Sequence, residues 1–390
     1  MLAARRADRH GLGDGRRIRP TRVEIDLGAL TGNVATLTEL VAPARVIAVV
    51  KADAYGHGAV RVAEALAAAP ARPALAVSLL EEALELREHG VGGDLLVLGG
   101  CYADRHAEVV AHDLQAVVIA CADLERFAAT GKRVRVHLKV DTGMSRLGLP
   151  HPDDDGGAAL ERALALIAAH PTLELAGLLT HLAAADGVDP APALAQLRKF
   201  EAVRARVAAA GLRPLVHALN GAGALRFPEA RLDAVRPGLA IYGIPPDPAV
   251  VPAPPLRPAM RLCTEVIALR DVPVGRQVSY DGLFTATRPT RVAVLPVGYA
   301  DGYPRRLSNR GDVLIGGRRC RVLGAVCMDM TMVDVTDHAA PVQPGDEAVL
   351  LGVQGAEAIS ARELAERAGL SPYEIPCAVS KRVPREYLDG

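Results

Sequence analysis

The feature that most narrows the fold is an alternation running from residue 46 to residue 235. Short apolar, β-branched runs stand at 46–50, 74–77, 94–98, 115–119, 134–140, 173–180, 214–219 and 232–235. Runs of this length without polar alternation read as buried strands. Between them lie Ala-, Leu- and Glu-rich segments of helical period, among them 60–69, 79–88, 157–169 and 193–210. Eight strand–helix units predict an α/β chain with a (β/α)8 barrel, a TIM barrel. An open doubly wound sheet uses the same alternation, and spacing alone does not separate the two.

Past the alternation, a proline-dense stretch from Pro245 to Pro258 admits neither helix nor central strand. Beyond it RVAVLPVGY, GDVLIGGRRCRVLGAVCM and MTMVDV read as short strands joined by glycine turns. The expected domains are therefore a barrel over 21–250 and a mostly-β domain over 251–390. Residues 1–20 are rich in Arg and Gly, lack the apolar core of a signal peptide, and read as a disordered leader.

Lys+Arg and Asp+Glu number 45 each, so no overall basic field draws nucleic acid or a membrane surface. No apolar run reaches the ~18 residues of a span. The six cysteines show no CxxC pair, which suits reduced thiols in a cytosolic protein. Dispersed histidines and the absence of a phosphate-type glycine motif argue against a metal centre and a dinucleotide site.

Chemistry gathers at strand ends, where barrel active sites are built. Lys51, Lys139, His181, Asn220 and Arg236 each fall at or just past the end of a predicted strand. A lysine leaving a buried strand loses part of its hydration, which lowers its pKa and suits it to form an imine. Any one of these residues alone reads equally well as a capping or surface group. Five at corresponding ends do not.

The run VVKADAYGHG around Lys51 resembles the cofactor-lysine signature of the alanine racemase family. Further segments follow in that family's order: HLKVDTGMSRLG from His137, THLAAAD from Thr180, HALNGAGAL from His217 and VRPGLAIYG from Val235. VSYDG from Val278, VGYADGYPR from Val297, VCMDM from Val326 and PYEI from Pro372 complete the series. The resemblance spans nearly the whole chain from about residue 22.

It implies an isomerase dependent on pyridoxal 5′-phosphate (PLP) that interconverts L- and D-alanine, supplying D-alanine for peptidoglycan, with Lys51 joined to PLP and Tyr280 as second base on the opposite face. Tyr55, Asn220, Gly238, Leu239 and Tyr373 are implied cofactor contacts, the phosphate among them. Arg236 would face the ring nitrogen and keep it unprotonated, which favours proton exchange over decarboxylation. His181 would bridge Arg236 to the tyrosine. Arg146 would bind the phenolic oxygen and the substrate carboxylate, oriented by Lys139, which is often carbamylated in the family. Met328 would offer its N–H to the carboxylate. The family's second base comes from another subunit, implying a homodimer with shared sites.

Three positions depart from the family pattern. Gly221 stands where a phosphate-contacting serine is usual, Ala325 where an arginine lines the access corridor with Asp186 and Arg305, and Met330 where glutamine is common. They leave the reaction type intact and open the alternative of a racemase for bulkier or more varied amino acids. The rival classes are a related decarboxylase or aldolase, against which Arg236 argues, and a PLP carrier, which has no use for Tyr280.

Overall fold

The computed structural model describes residues 18–251 and 254–389. The chain forms two compact units: Ala29–Arg257, and the described residues up to Gly28 together with those from Pro258 onward. Among the described residues no helix is long and apolar enough to cross a membrane.

The first strand corrects the expected boundary. β1 (Arg22–Asp26) was placed with the barrel by its position, yet it sits in the sheet of the second unit. It pairs antiparallel with Met260–Glu265 (Val23 opposite Leu262) and parallel with Arg385–Leu388 (Val23 opposite Arg385). Its alternation explains this choice. Val23 and Ile25 are fully buried. Between them Arg22 and Glu24 join an ion-pair network, with Arg22 Nη2 at 2.7 Å from Glu24 Oε1 and Arg261 Nη1 at 2.8 Å from Glu24 Oε2. At the other boundary Asn33 holds both backbone groups of Arg257: its Nδ2 donates to the carbonyl and its Oδ1 accepts from the N–H, each at 2.8 Å. The proline-dense tail therefore stays with the barrel up to Arg257, not residue 250. Residues 1–17 of the expected leader lie outside the described residues, but Arg19 donates to the fully buried carboxylate of Asp301 at 2.8 Å.

The barrel is built as the alternation predicts. Its strands are β2 (Arg45–Val49), β3 (Ala74–Val77), β4 (Leu95–Val97), β5 (Gln115–Val118), β6 (Val134–Lys139), β7 (Leu173–Leu179), β8 (Leu215–His217) and β9 (Ala234–Val235). Neighbours pair in parallel from β2 to β8, and β9 pairs with β2. Between β8 and β9 the ring closes through Asp233 N–H to Val216 O at 3.1 Å and Arg236 N–H to Leu219 O at 2.9 Å. The strands end earlier than the apolar runs do. Leu98, Ile119, Thr180 and Leu219 already belong to the loops that form the strand-end face.

The second unit is mostly β. Its larger sheet runs Arg318–Arg321, Asp312–Ile315, Glu347–Gln354, Met260–Glu265, β1, Arg385–Leu388, with Glu357–Ile359 paired beside Glu347–Gln354. A three-stranded sheet joins Ala268–Val272, Thr290–Leu295 and Thr331–Asp334. The GDVLIGGRRC run folds as a hairpin on Gly316 and Gly317, whose φ values of +54° and +72° are those of a two-residue turn that suits the twist of the strands. Among the described residues the cysteines form no disulfide.

Candidate active site

The loop after β2 carries Lys51 through an unusual backbone. Ala52, Asp53, Ala54 and Tyr55 all have φ between +52° and +54°, one left-handed turn made without glycine. Each such residue costs roughly 1–2 kcal/mol, so the turn must be held from outside. Glu82, on the neighbouring helix Leu80–Glu88, accepts the Ala52 N–H at 2.6 Å through one oxygen and the Ser78 and Leu79 N–H groups through the other. Asp53 Oδ1 accepts the Ala59 N–H at 2.7 Å. Tyr55 packs on Tyr242 with ring centroids 5.1 Å apart, and Tyr242 donates its hydroxyl to Val49 O at 2.9 Å. The Tyr55 hydroxyl lies so near Gly238 that a Cβ there would stand 2.6 Å from it. Only glycine admits this approach. Leu239 follows, opening the short turn Leu239–Tyr242.

Arg236, directly after β9, is buried and meets no carboxylate among the described residues. Its Nη1 donates to His217 Nδ1 at 2.6 Å and His217 O at 2.7 Å, and its Nη2 to Thr180 O at 2.7 Å and Ala218 O at 3.1 Å. His181 Nδ1 lies 3.4 Å from Nη2. The Nε–H is the donor left over, with no acceptor among the described residues. Burial pulls this guanidinium down to about 10. His181 is held at about 3 by burial first, then by Arg236, Arg146, Lys139 and Lys51. It is therefore neutral at physiological pH.

Lys139, last residue of β6, falls to about 8 through burial and then the charges of Arg146 and Arg236, opposed by Asp141. The Asp141 carboxylate accepts the N–H groups of Gly143 and Met144 at 2.8 Å and of Arg146 at 3.1 Å, which hold its pKa down although burial pushes it up. The same carboxylate thus serves its own loop and opposes the Arg146, Arg236 and Lys51 charges at Lys139. Because the folded value of Lys139 lies below the ordinary 10.5, the unfolded chain binds more protons between about 8 and 10.5. Stability should rise with pH across that window, and the rise should shrink in Lys139→Met, read as the difference between denaturation midpoints of the two proteins.

Two positioning residues escaped the sequence reading. Glu82 sits in the first turn of its helix, where an acid caps backbone N–H groups in any protein, so nothing marked its contact with Ala52. Gln196, buried on Ala191–Ala209, accepts the Ala183 N–H at 2.8 Å and donates to His181 O at 3.1 Å. No local pattern distinguishes it from other polar helix residues. Asn220 spends its side-chain oxygen on the Gly223 N–H at 2.9 Å, capping the short helix Gly221–Arg226. At Gly221 an added Cβ would make only ordinary contact, 3.5 Å from Pro237 Cα, so space does not explain the missing side chain.

The remaining predicted residues stand in the β unit. Tyr280, Met328 and Tyr373 are exposed there. Ser279, at φ +67°, donates its hydroxyl to Ala325 O at 2.6 Å and lies 3.3 Å from Cys327 Sγ, so Tyr280 and Met328 follow residues in mutual contact. Ala325 itself is buried.

Lys51, Tyr55, Lys139, Arg146, His181, Asn220, Arg236, Gly238 and Leu239 thus all lie at the strand ends of one barrel or in the loops that follow them. An amine among clustered cations, a spare guanidinium N–H and a glycine backbone under a tyrosine hydroxyl fit an anionic aldehyde with a phosphate, such as PLP. These features suit a barrel enzyme of the PLP class.

The comparisons narrow the class. The alanine racemase N-terminal domain family matches residues 25–246, and the C-terminal domain family matches 259–387. The alanine racemase of Sorangium cellulosum is 44% identical over 388 residues, covering 95% of this chain and 100% of the relative. That of Symbiobacterium thermophilum is 45% identical over 375 residues, covering 95% and 97%. Among solved structures, alanine racemase from D-cycloserine-producing Streptomyces lavendulae superposes with a TM-score of 0.89 at 35% identity, covering 96% of this chain and 98% of that one. The enzyme of Bartonella henselae, solved with covalently bound pyridoxal phosphate, gives 0.84 at 29% identity, covering 95% and 99%. The chain belongs to the alanine racemase family.

Proposed function

We propose that this chain interconverts L- and D-alanine with PLP, moving the α-proton with Lys51 on one face and Tyr280 on the other. The observation that carries the reading is Arg236: a buried cation with no carboxylate partner among the described residues and one N–H to spare, where a decarboxylase would want an acid. When bound, PLP supplies an electrophilic carbonyl and a conjugated ring that draws electron density from the substrate α-carbon.

The chain's own groups do the rest. Lys51 would hold the cofactor and would take or return the α-proton on its own face. Tyr280 serves the opposite face, with neutral His181 linking it to Arg236. A second copy of the chain supplies this phenol, so the working form is a homodimer. Arg146 holds the substrate carboxylate beside the Met328 N–H. Lys139 orients Arg146, and its depressed pKa leaves a share of free amine able to take up carbon dioxide as a carbamate. Tyr55, Asn220, Gly238, Leu239 and Tyr373 hold the cofactor. We place the enzyme in the cytoplasm, where it would feed D-alanine to peptidoglycan.

The test is α-proton exchange in deuterated water. Both enantiomers of alanine should gain deuterium at the α-carbon while interconverting, faster than serine, lysine or arginine. Tyr280→Phe should slow exchange of one enantiomer more than the other, as two bases on opposite faces require. Equal slowing of both, or a preference for a bulky amino acid, would retire the corresponding part of the reading.

A further inference from the structure

A chain of polar side chains, buried from Gln115 onward, runs through the barrel from its N-terminal mouth to Arg236. Asp94, just before β4, accepts from Gln115 Nε2 at 2.9 Å. Gln115, first residue of β5, presents Oε1 to His137 Nε2 at 2.7 Å. His137 Nδ1 lies 2.8 Å from His217 Nε2, and His217 Nδ1 receives Arg236 Nη1 at 2.6 Å. Gln115, His137, His217 and Arg236 are all buried. The two imidazoles meet edge to face, their centroids 5.0 Å apart.

Donor and acceptor rules leave one assignment of hydrogens along this chain. A carboxylate only accepts, so the Gln115 amide nitrogen must face Asp94 and its oxygen must face His137. His137 then carries its proton on Nε2. Burial and the charge of Arg236 hold His137 at about 3 and His217 well below its ordinary value, so both rings are neutral. The bare Nδ1 of His137 makes His217 the donor through Nε2, which leaves His217 Nδ1 open to Arg236. Turn the glutamine over and the order reverses: His217 would then carry its proton on Nδ1, aimed at a guanidinium N–H.

The backbone is shaped for this arrangement. A Cβ at Gly177 would overlap the His137 ring, and the pairing of β6 with β7 shifts register between Val136 and His137, opposite that glycine. At the lower end Asp94, Gln115 and His137 line a cavity of about 510 Å³. Asp94 is further fixed by Arg135 Nη1 at 2.5 Å.

We propose that Asp94, Gln115, His137 and His217 are positioning residues whose hydrogen-bond order fixes the tautomer of His217 and, through it, the placement of the Arg236 guanidinium. The consequence for turnover rests on the racemase reading. The protonation pattern does not.

The test uses the full chain labelled with ¹⁵N-histidine, with and without PLP, and long-range ¹⁵N–¹H spectra that report which ring nitrogen holds the proton. Signals are assigned by single replacement. Wild-type His137 and His217 should both be neutral and protonated on Nε2. Gln115→Met should shift His217 toward the other tautomer or a mixture, and lower kcat for alanine about tenfold with KM changed less than about twofold. Should that variant fail to fold, Asp94 offers a second route, since its side chain is 56% exposed. Asp94→Leu should disturb the His217 signal in the same direction, and Asp94→Asn, which keeps an acceptor, should restore it. A wild-type His217 protonated on Nδ1 or on both nitrogens would overturn the proposal. So would an unchanged His217 pattern and kcat in both Gln115→Met and Asp94→Leu. Neither spectral result depends on whether alanine is the substrate, so failure here and failure of the racemase reading are separable.

Discussion

Lys51→Ala should abolish racemisation, lowering it by at least about ten-thousandfold, because in the proposed mechanism one substitution removes both the covalent anchor and the proton-transfer group of one face. General acid–base transfer alone is worth ~10²–10⁴. Losing the covalent link adds to that, since substrate must then find a cofactor held only by the phosphate contacts. The loss should not be a folding defect. Lys51 is among the charges that push Lys139 and His181 down, so its removal relieves repulsion among clustered cations. The N–H of Ala52 keeps its bond to Glu82, and the left-handed turn keeps its anchor. The variant should therefore denature at a temperature no lower than wild type, retain no cofactor after gel filtration in denaturant, and show no α-deuterium exchange. Residual exchange near the wild-type rate would assign the first base elsewhere.

The barrel was legible because its signal is physical and repeated: eight runs buried on both faces leave no alternation to misread, and all eight appear as strands. Where those runs end was less legible. β-branched Thr180 and apolar Leu219 both suit a strand, but the strands end at Leu179 and His217, before His181 and Asn220. β1 was assigned by sequence neighbourhood. Its partners lie more than two hundred residues away, where the burial of Val23 and Ile25 and the ion pairs of Arg22 and Glu24 with Glu347 and Arg261 seat it. The turn after Lys51 was hidden for another reason. Ala-Asp-Ala-Tyr carries no glycine, and a left-handed run of such residues survives only because Glu82 and Asp53 hold it. The cationic residues of the site could be read from type and position. The buried relay behind Arg236 could not, since His137 and His217 look like isolated core histidines until the strands are wound into a ring.

Arg236 should also matter to the fold before any cofactor binds. Arg236→Met removes the donor from Thr180 O, His217 O, Ala218 O and His217 Nδ1 at once, all in the barrel interior. A buried acceptor left unmatched costs about 1–3 kcal/mol. Part of that is offset, because burying a cation without a carboxylate is itself unfavourable, as its fall to about 10 records. Water entering from the strand-end face can serve the outermost carbonyls but reaches His217 Nδ1 poorly. We expect a net loss of about 3 kcal/mol, within the range for breaking a buried polar cluster by removing its central member. Arg236→Lys should recover less than half of it. An ammonium offers three donors on a flexible stem, where the planar fork of arginine spans acceptors from the ends of two strands. The measurement is urea denaturation of cofactor-free protein, so that linkage to PLP binding does not enter. A stability for Arg236→Met within about 0.5 kcal/mol of wild type, below the usual worth of one hydrogen bond, would mean that the carbonyl ring is hydrated and that this arginine is held for chemistry alone.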